Sequence, residues 1–242
     1  MLIREGREDF NGLIIDGVQK YEEDLETKDL CVPGTALLME DLEAGNVEIP
    51  GSLDVRGLLT CDVLDVAGRC QCNYGLIIDR ANVAGRLKVF GKINAESMIV
   101  GGKVTCRSAV KIYDLDIKGE FSCVGSLKCE QIDISGSLWV DGKVRTTSMF
   151  LDSASKSYAD EIYTDEIIVR KNQAVVAEDE YLDYLLTVTD VDCHTAELSY
   201  TRIGTLLCRR AEIGPGCVVD EVYCKDAVDI SPHATVGKVV YI

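Results

Sequence analysis

Residues 51–68 read Gly51-Ser-Leu-Asp-Val-Arg-Gly-Leu-Leu-Thr-Cys-Asp-Val-Leu-Asp-Val-Ala-Gly68, and the pattern returns as Gly85-Arg-Leu-Lys-Val-Phe-Gly91 and Gly136-Ser-Leu-Trp-Val-Asp-Gly142. Outward from this stretch, glycine recurs every 17 residues, at Gly17, Gly34, Gly51, Gly68, Gly85, Gly102, Gly119 and Gly136. A fixed period of this length marks a repeat architecture. Two residues before each glycine stands an aliphatic: Ile15, Val32, Ile49, Val66, Val83, Val100, Ile117 and Ile134, continued by Leu151 and Ile168. Two further back lie Leu30, Val47, Leu64, Ala81, Met98, Leu115, Ile132 and Met149. Spacing of two is the mark of a strand with one face inward.

Two more inward pairs complete each period. The first follows the glycine, as Leu53 with Val55, Cys70 with Cys72, or Phe121 with Cys123. Another comes six residues later, as Leu59 with Cys61, Leu127 with Cys129, or Val144 with Thr146. Each 17-residue row therefore holds three short strands and three bends. One strand alone cannot bury its face, but rows stacked in register bury a continuous apolar column. The expected fold is all-β, a single-stranded β-helix (β-solenoid) with triangular rows of 17 residues. Glycine at the bends, including Gly57, Gly91, Gly125 and Gly142, is expected to supply unusual backbone angles.

Rows are expected over 1–169. Residues 170–190 break the period with the acidic stretch Ala177-Glu-Asp-Glu-Tyr-Leu-Asp-Tyr-Leu-Leu186. Over 191–242 the rows resume, since Ile213-Gly-Pro-Gly and Ile230-Ser-Pro-His again stand 17 apart. At about 4.8 Å per row, a dozen rows make a rod of about 60 Å.

Composition bounds the function. The chain is 47% hydrophobic but only 6% aromatic, which calls for a small-residue aliphatic core. A net charge of −16 argues against a nucleic-acid surface, because phosphates are repelled. Arg4, Glu5, Glu8 and Asp9 interrupt any apolar run near the start, so no secretory signal is read and the expected location is cytoplasmic. No run of about 18 apolar residues predicts a transmembrane segment; association with a membrane surface stays open.

Candidate chemistry is sparse. Cys70-Gln-Cys72 has half a metal-site spacing, yet Cys61, Cys70, Cys72, Cys106, Cys123 and Cys129 all fall in inward columns, where cysteine acts as a small hydrophobe. His194 and His233 are the two histidines; His194 is the one candidate for a general base, and His233 reads as turn chemistry. Asp114 and Asp116 fall outward as solvated carboxylates. The reading is a non-enzyme with no catalytic residue, cofactor or metal.

The ends carry the functional expectation. Gln19, Tyr21 and Glu23 stand where later rows are read as aliphatic, which suggests a self-capped N-terminal end. The run Val236-Gly-Lys-Val-Val-Tyr-Ile242 has no polar cap, so Val236, Val239, Val240, Tyr241 and Ile242 are the expected assembly interface. Tyr181 and Tyr184 are candidate contacts for a protein partner.

The rows at 51–57, 85–91 and 136–142, with Ala211-Glu-Ile-Gly-Pro-Gly-Cys-Val-Val-Asp-Glu-Val-Tyr223 near the end, resemble bactofilins, polymer-forming cytoskeletal proteins, and the ending resembles those of Gram-positive bacteria. That resemblance implies a right-handed β-helix and end-to-end self-assembly into filaments or dimers. The alternative from another class is a monomeric solenoid serving as a binding platform for a protein partner.

Overall fold

The computed structural model describes residues 12–171 and 184–242. Among them are 23 strands, all paired in parallel, and no helix. The architecture is a right-handed β-helix, a β-solenoid of about 13 turns. Rows pair one period apart: Leu53 lies between Ala36 and Cys70, and Leu87 lies between Cys70 and Val104.

The strand Leu58–Val66 shows how a row turns. Leu59 and Cys61 point inward, then Asp62 and Val63 both point away, then Leu64 and Val66 return inward. The two-residue slip at Asp62 and Val63 is a corner within one continuous strand. With the short strand Ser52–Val55 and the corners at Arg56-Gly57 and Ala67-Gly68, the cross-section closes as a triangle. The inward columns form one core running the length of the rod. Its aliphatic columns from Ile15 to Leu151 are buried, and so are ten of the eleven cysteines, with Cys31 half-buried.

The glycine column has a cause different from the one expected. Among the described residues, positive φ occurs in glycine only at Gly125, Gly142 and Gly216, none in the 17-residue column. What demands glycine there is close approach. A Cβ at Gly51, Gly68, Gly85, Gly102, Gly119 or Gly136 would stand 2.0–2.1 Å from the carbonyl oxygen of the glycine one row below. That oxygen already accepts a main-chain N–H, as in Arg86 to Gly68 at 2.8 Å and Lys103 to Gly85 at 2.9 Å. Only at the second bend, at Gly125 and Gly142, does the expected backbone freedom apply.

Three details of the expected register change. Leu25, not Glu23, takes the column of Leu42 and Leu59, because the first corner spans three exposed residues, Glu22, Glu23 and Asp24. Val169, not Ile168, continues the column of Leu151. Additional residues at the corner 152–156 set Tyr158 opposite Trp139, 19 positions earlier, and a bulge after Val140 restores one position. Finally, the period returns inside the expected excursion: the strand Leu186–Leu198 pairs with Ser157–Lys171, and its rows then run 15, 16 and 17 residues. Thr146, expected inward, is half-buried with its hydroxyl 2.9 Å from the carbonyl oxygens of Glu130 and Ser148.

Candidate assembly surface

The last full row is the strand Val218–Ile230, and the strand Thr235–Tyr241 lies upon it. Val236 pairs with Val219, Val239 with Val222 and Tyr241 with Cys224, so these three continue inward columns. Each covers a residue that is at most 1% exposed. On its other side this strand has no row partner among the described residues. Val236 and Val239 are therefore only partly buried, and Tyr241 and Ile242 lie open.

Val240 does not share this role. It pairs with Tyr223, whose ring lies on the outer surface with its hydroxyl donating to Glu221 at 2.6 Å. Val240 thus belongs to the side of the rod, by the period-two rule that separates it from Val239.

Sequence reasoning missed part of this end. Among the described residues no strand pairs with 227–230 from above, on the third side of the row. Val228 and Ile230 continue the columns of Ala211 and Ile213. Ile213 is fully buried, whereas Ile230 is 40% exposed. The 17-residue alignment of 213–222 with 230–239 could have found them, since it places Ile230 in the buried column of Ile213. Val228, Ile230, Ala234, Val236, Val239 and Tyr241 together make an apolar end to the rod. The terminal strand carries one charge, Lys238, whose ammonium lies 5.8 Å from the Tyr223 ring centre. An apolar edge with so little charge is a template for further strand pairing.

The first described rows are more polar. Gln19 and Tyr21 stand in the columns of Ala36 and Leu38, and the Tyr21 hydroxyl donates to Gln19 at 2.5 Å. Tyr184 is half-buried where the chain re-enters the rows. Tyr181 lies outside the described residues.

The other candidates form no catalytic array. His194 Nδ1 lies 3.2 Å from Asp165 Oδ1, with both side chains largely exposed. The backbone N–H of His233 donates to Ser231 Oγ at 3.2 Å, a local turn bond. Cys70 and Cys72 Sγ atoms are 3.8 Å apart inside the core, and Cys106 and Cys123 are row neighbours. No disulfide joins any of the cysteines. Burial pushes the thiols of Cys61, Cys129 and Cys193 up to about 12, which keeps them protonated. No group of three His, Cys, Asp or Glu side chains among the described residues is placed to hold a metal ion. Nor is any described helix long and apolar enough to cross a membrane.

The class that the fold defines is a β-solenoid of the scaffold type. Searches against protein-family models, curated proteins and solved structures find no match.

Proposed function

We propose that this chain is a structural scaffold, a bactofilin-like rod that assembles end to end into filaments or dimers in the cytoplasm. The observation that carries the reading is the apolar C-terminal end, where Ile230 lies open above a fully buried Ile213. Stacking a second rod there would pair the free edge of Thr235–Tyr241 and remove Val228, Ile230, Val236 and Val239 from water. Two C-terminal ends meeting about a two-fold axis give a closed dimer; a C-terminal end meeting an N-terminal end gives an open filament. A catalytic role has no support from the arrangement of His194, the cysteines or the carboxylates, and the chain is read as a non-enzyme.

Sedimentation velocity and negative-stain electron microscopy test this directly. End-to-end dimers, or rods much longer than about 60 Å, are expected, in proportions that grow with concentration. A single monomeric species at every concentration would overturn it.

A further inference from the structure

The three rows from Arg69 to Arg107 present a flat outer surface on one side of the triangle. Its strands are Arg69–Cys72, Arg86–Val89 and Lys103–Cys106, in direct register. The outward positions read Arg69, Gln71 and Asn73, then Arg86, Lys88 and Phe90, then Lys103, Thr105 and Arg107. Five of these nine are cations and none is acidic, in a chain of net charge −16. Arg69, Arg86 and Lys103 stack directly over one another, about 4.8 Å apart. Like charges in such a ladder repel and weaken the sheet. Of these three, only Lys103 has an ion-pair partner among the described residues, Glu120 in the next row. Phe90 stands at the corner end of the middle row, just past the strand Arg86–Val89, with Lys88 Nζ 4.5 Å and Arg107 Cζ 5.0 Å from its ring centre. Beside the ladder runs a shallow groove over Gly51, Gly68, Gly85, Gly102 and Gly119, which carry no side chains.

We propose that this face is a docking site for a short acidic peptide segment of a partner protein, carboxylates on the Arg69–Arg86–Lys103 ladder and an apolar or aromatic side chain against Phe90. Charge complementarity selects an acidic ligand. Its extent selects a short one. The cationic surface covers three rows, about 10–15 Å along the rod, and beyond it the chain is acidic. On one side the face meets Ser52 beside Arg69 and Asp54 beside Gln71; on the other, Glu120 stands beside Lys103. A duplex or an anionic membrane extends past one Debye length, about 8–10 Å, and meets that acidic remainder; a few carboxylates do not. The docking needs only the folded rod and stands apart from end-to-end assembly.

The test is fluorescence anisotropy with a fluorescein-labelled decapeptide of alternating Glu and Tyr, and its Gln-Tyr counterpart as the neutral probe. The Glu-Tyr peptide is expected to bind at about 50 mM NaCl and to weaken about tenfold by about 300 mM, as the charges are screened. The double variant Arg86→Glu/Lys88→Glu should lose binding at least about tenfold with an unchanged thermal melt. Lys225→Glu, a cation in another row, should bind as the parent does. Repeating the titration in Ile230→Lys, which blocks the apolar end, keeps this result separate from that of assembly. The proposal is overturned by equal binding of the double variant, by equal binding of the Gln-Tyr probe, or by no binding at low salt. Tighter binding of a 15-nucleotide single strand or of phosphatidylserine vesicles would also overturn it and reassign the face to polyanions.

Discussion

Ser153 Oγ donates a hydrogen bond to the carbonyl oxygen of Gly136 at 2.7 Å. In the rows below, each such glycine carbonyl, from Gly17 to Gly119, accepts a main-chain N–H instead. Ser153 occupies the next slot in the glycine column and is fully buried, with the N–H of Ser155 donating back to it at 2.9 Å. The additional corner residues up to Lys156 give a side chain room that no earlier row allows. The column thus ends where a hydroxyl replaces a backbone donor, and the register slip of the following rows starts there.

Close approach rather than backbone angle makes the glycine column sensitive, and two adjacent residues separate the causes. Gly102→Ala would drive a Cβ to 2.1 Å from the Gly85 carbonyl, while Gly101→Ala meets nothing nearer than 3.8 Å. Gly102→Ala is expected to lose at least about 2 kcal/mol by overpacking against backbone. Gly101→Ala is expected to change stability by less than about 1 kcal/mol, and in the stabilising direction if the unfolded chain loses freedom. Paired urea titrations measure both.

Inside and outside alternate at Asp116 and Ile117. Ile117 is fully buried, and Asp116 pairs with Lys118 at 2.9 Å on the surface. Ile117→Asp places a carboxylate in the core without a partner and should cost more than about 4 kcal/mol or prevent folding. Asp116→Ser removes one exposed ion pair and should cost less than about 0.5 kcal/mol. Thermal melts that coincide would refute the column assignment.

The buried thiols predict an alkaline limit to stability. Desolvation raises Cys61 and Cys129 to about 12 in the folded state, above the ordinary value near 9. Below pH 9 both states hold the proton and the contribution is intact. Between about 9 and 12 the unfolded chain ionises while the folded one does not, so stability falls as pH rises. Each thiol contributes up to about 1.4 kcal/mol per pH unit in that window. Cys61→Ala/Cys129→Ala, in a column that already accepts Ala44 and Ala95, should flatten the decline seen by denaturation at pH 8, 9 and 10.

The rows, their three strands and the core columns were legible because one-dimensional periodicity maps directly onto a one-dimensional stack. Val169 in place of Ile168 was not legible, since additional residues at a corner shift everything after them without altering the apolar pattern. Handedness came from resemblance, because a period of 17 has no chirality. The cationic face escaped notice for another reason. Arg69, Arg86 and Lys103 are scattered in sequence, and only aligning the outward columns at the period brings them together. Ile230 was aligned with Ile213 at the 17-residue period, but it was left out of the expected assembly interface.

End-to-end assembly is the central claim, and its salt dependence and surface are both specified. The net charge of −16 opposes contact between two rods, while the buried surface is apolar. Screening therefore favours assembly, the reverse of what the cationic face predicts for an acidic peptide. Ile230→Lys puts a charge on the open end without touching the covered core, whereas Val240→Lys, on the rod's side, should leave assembly largely in place. Sedimentation velocity of the parent chain, Ile230→Lys and Val240→Lys at about 50 and 500 mM NaCl decides the matter. The account predicts dimers or longer rods that increase with salt in the parent and in Val240→Lys, and a monomer at both salts in Ile230→Lys. A monomeric parent chain, or assembly that persists in Ile230→Lys or falls as salt is raised, would contradict it.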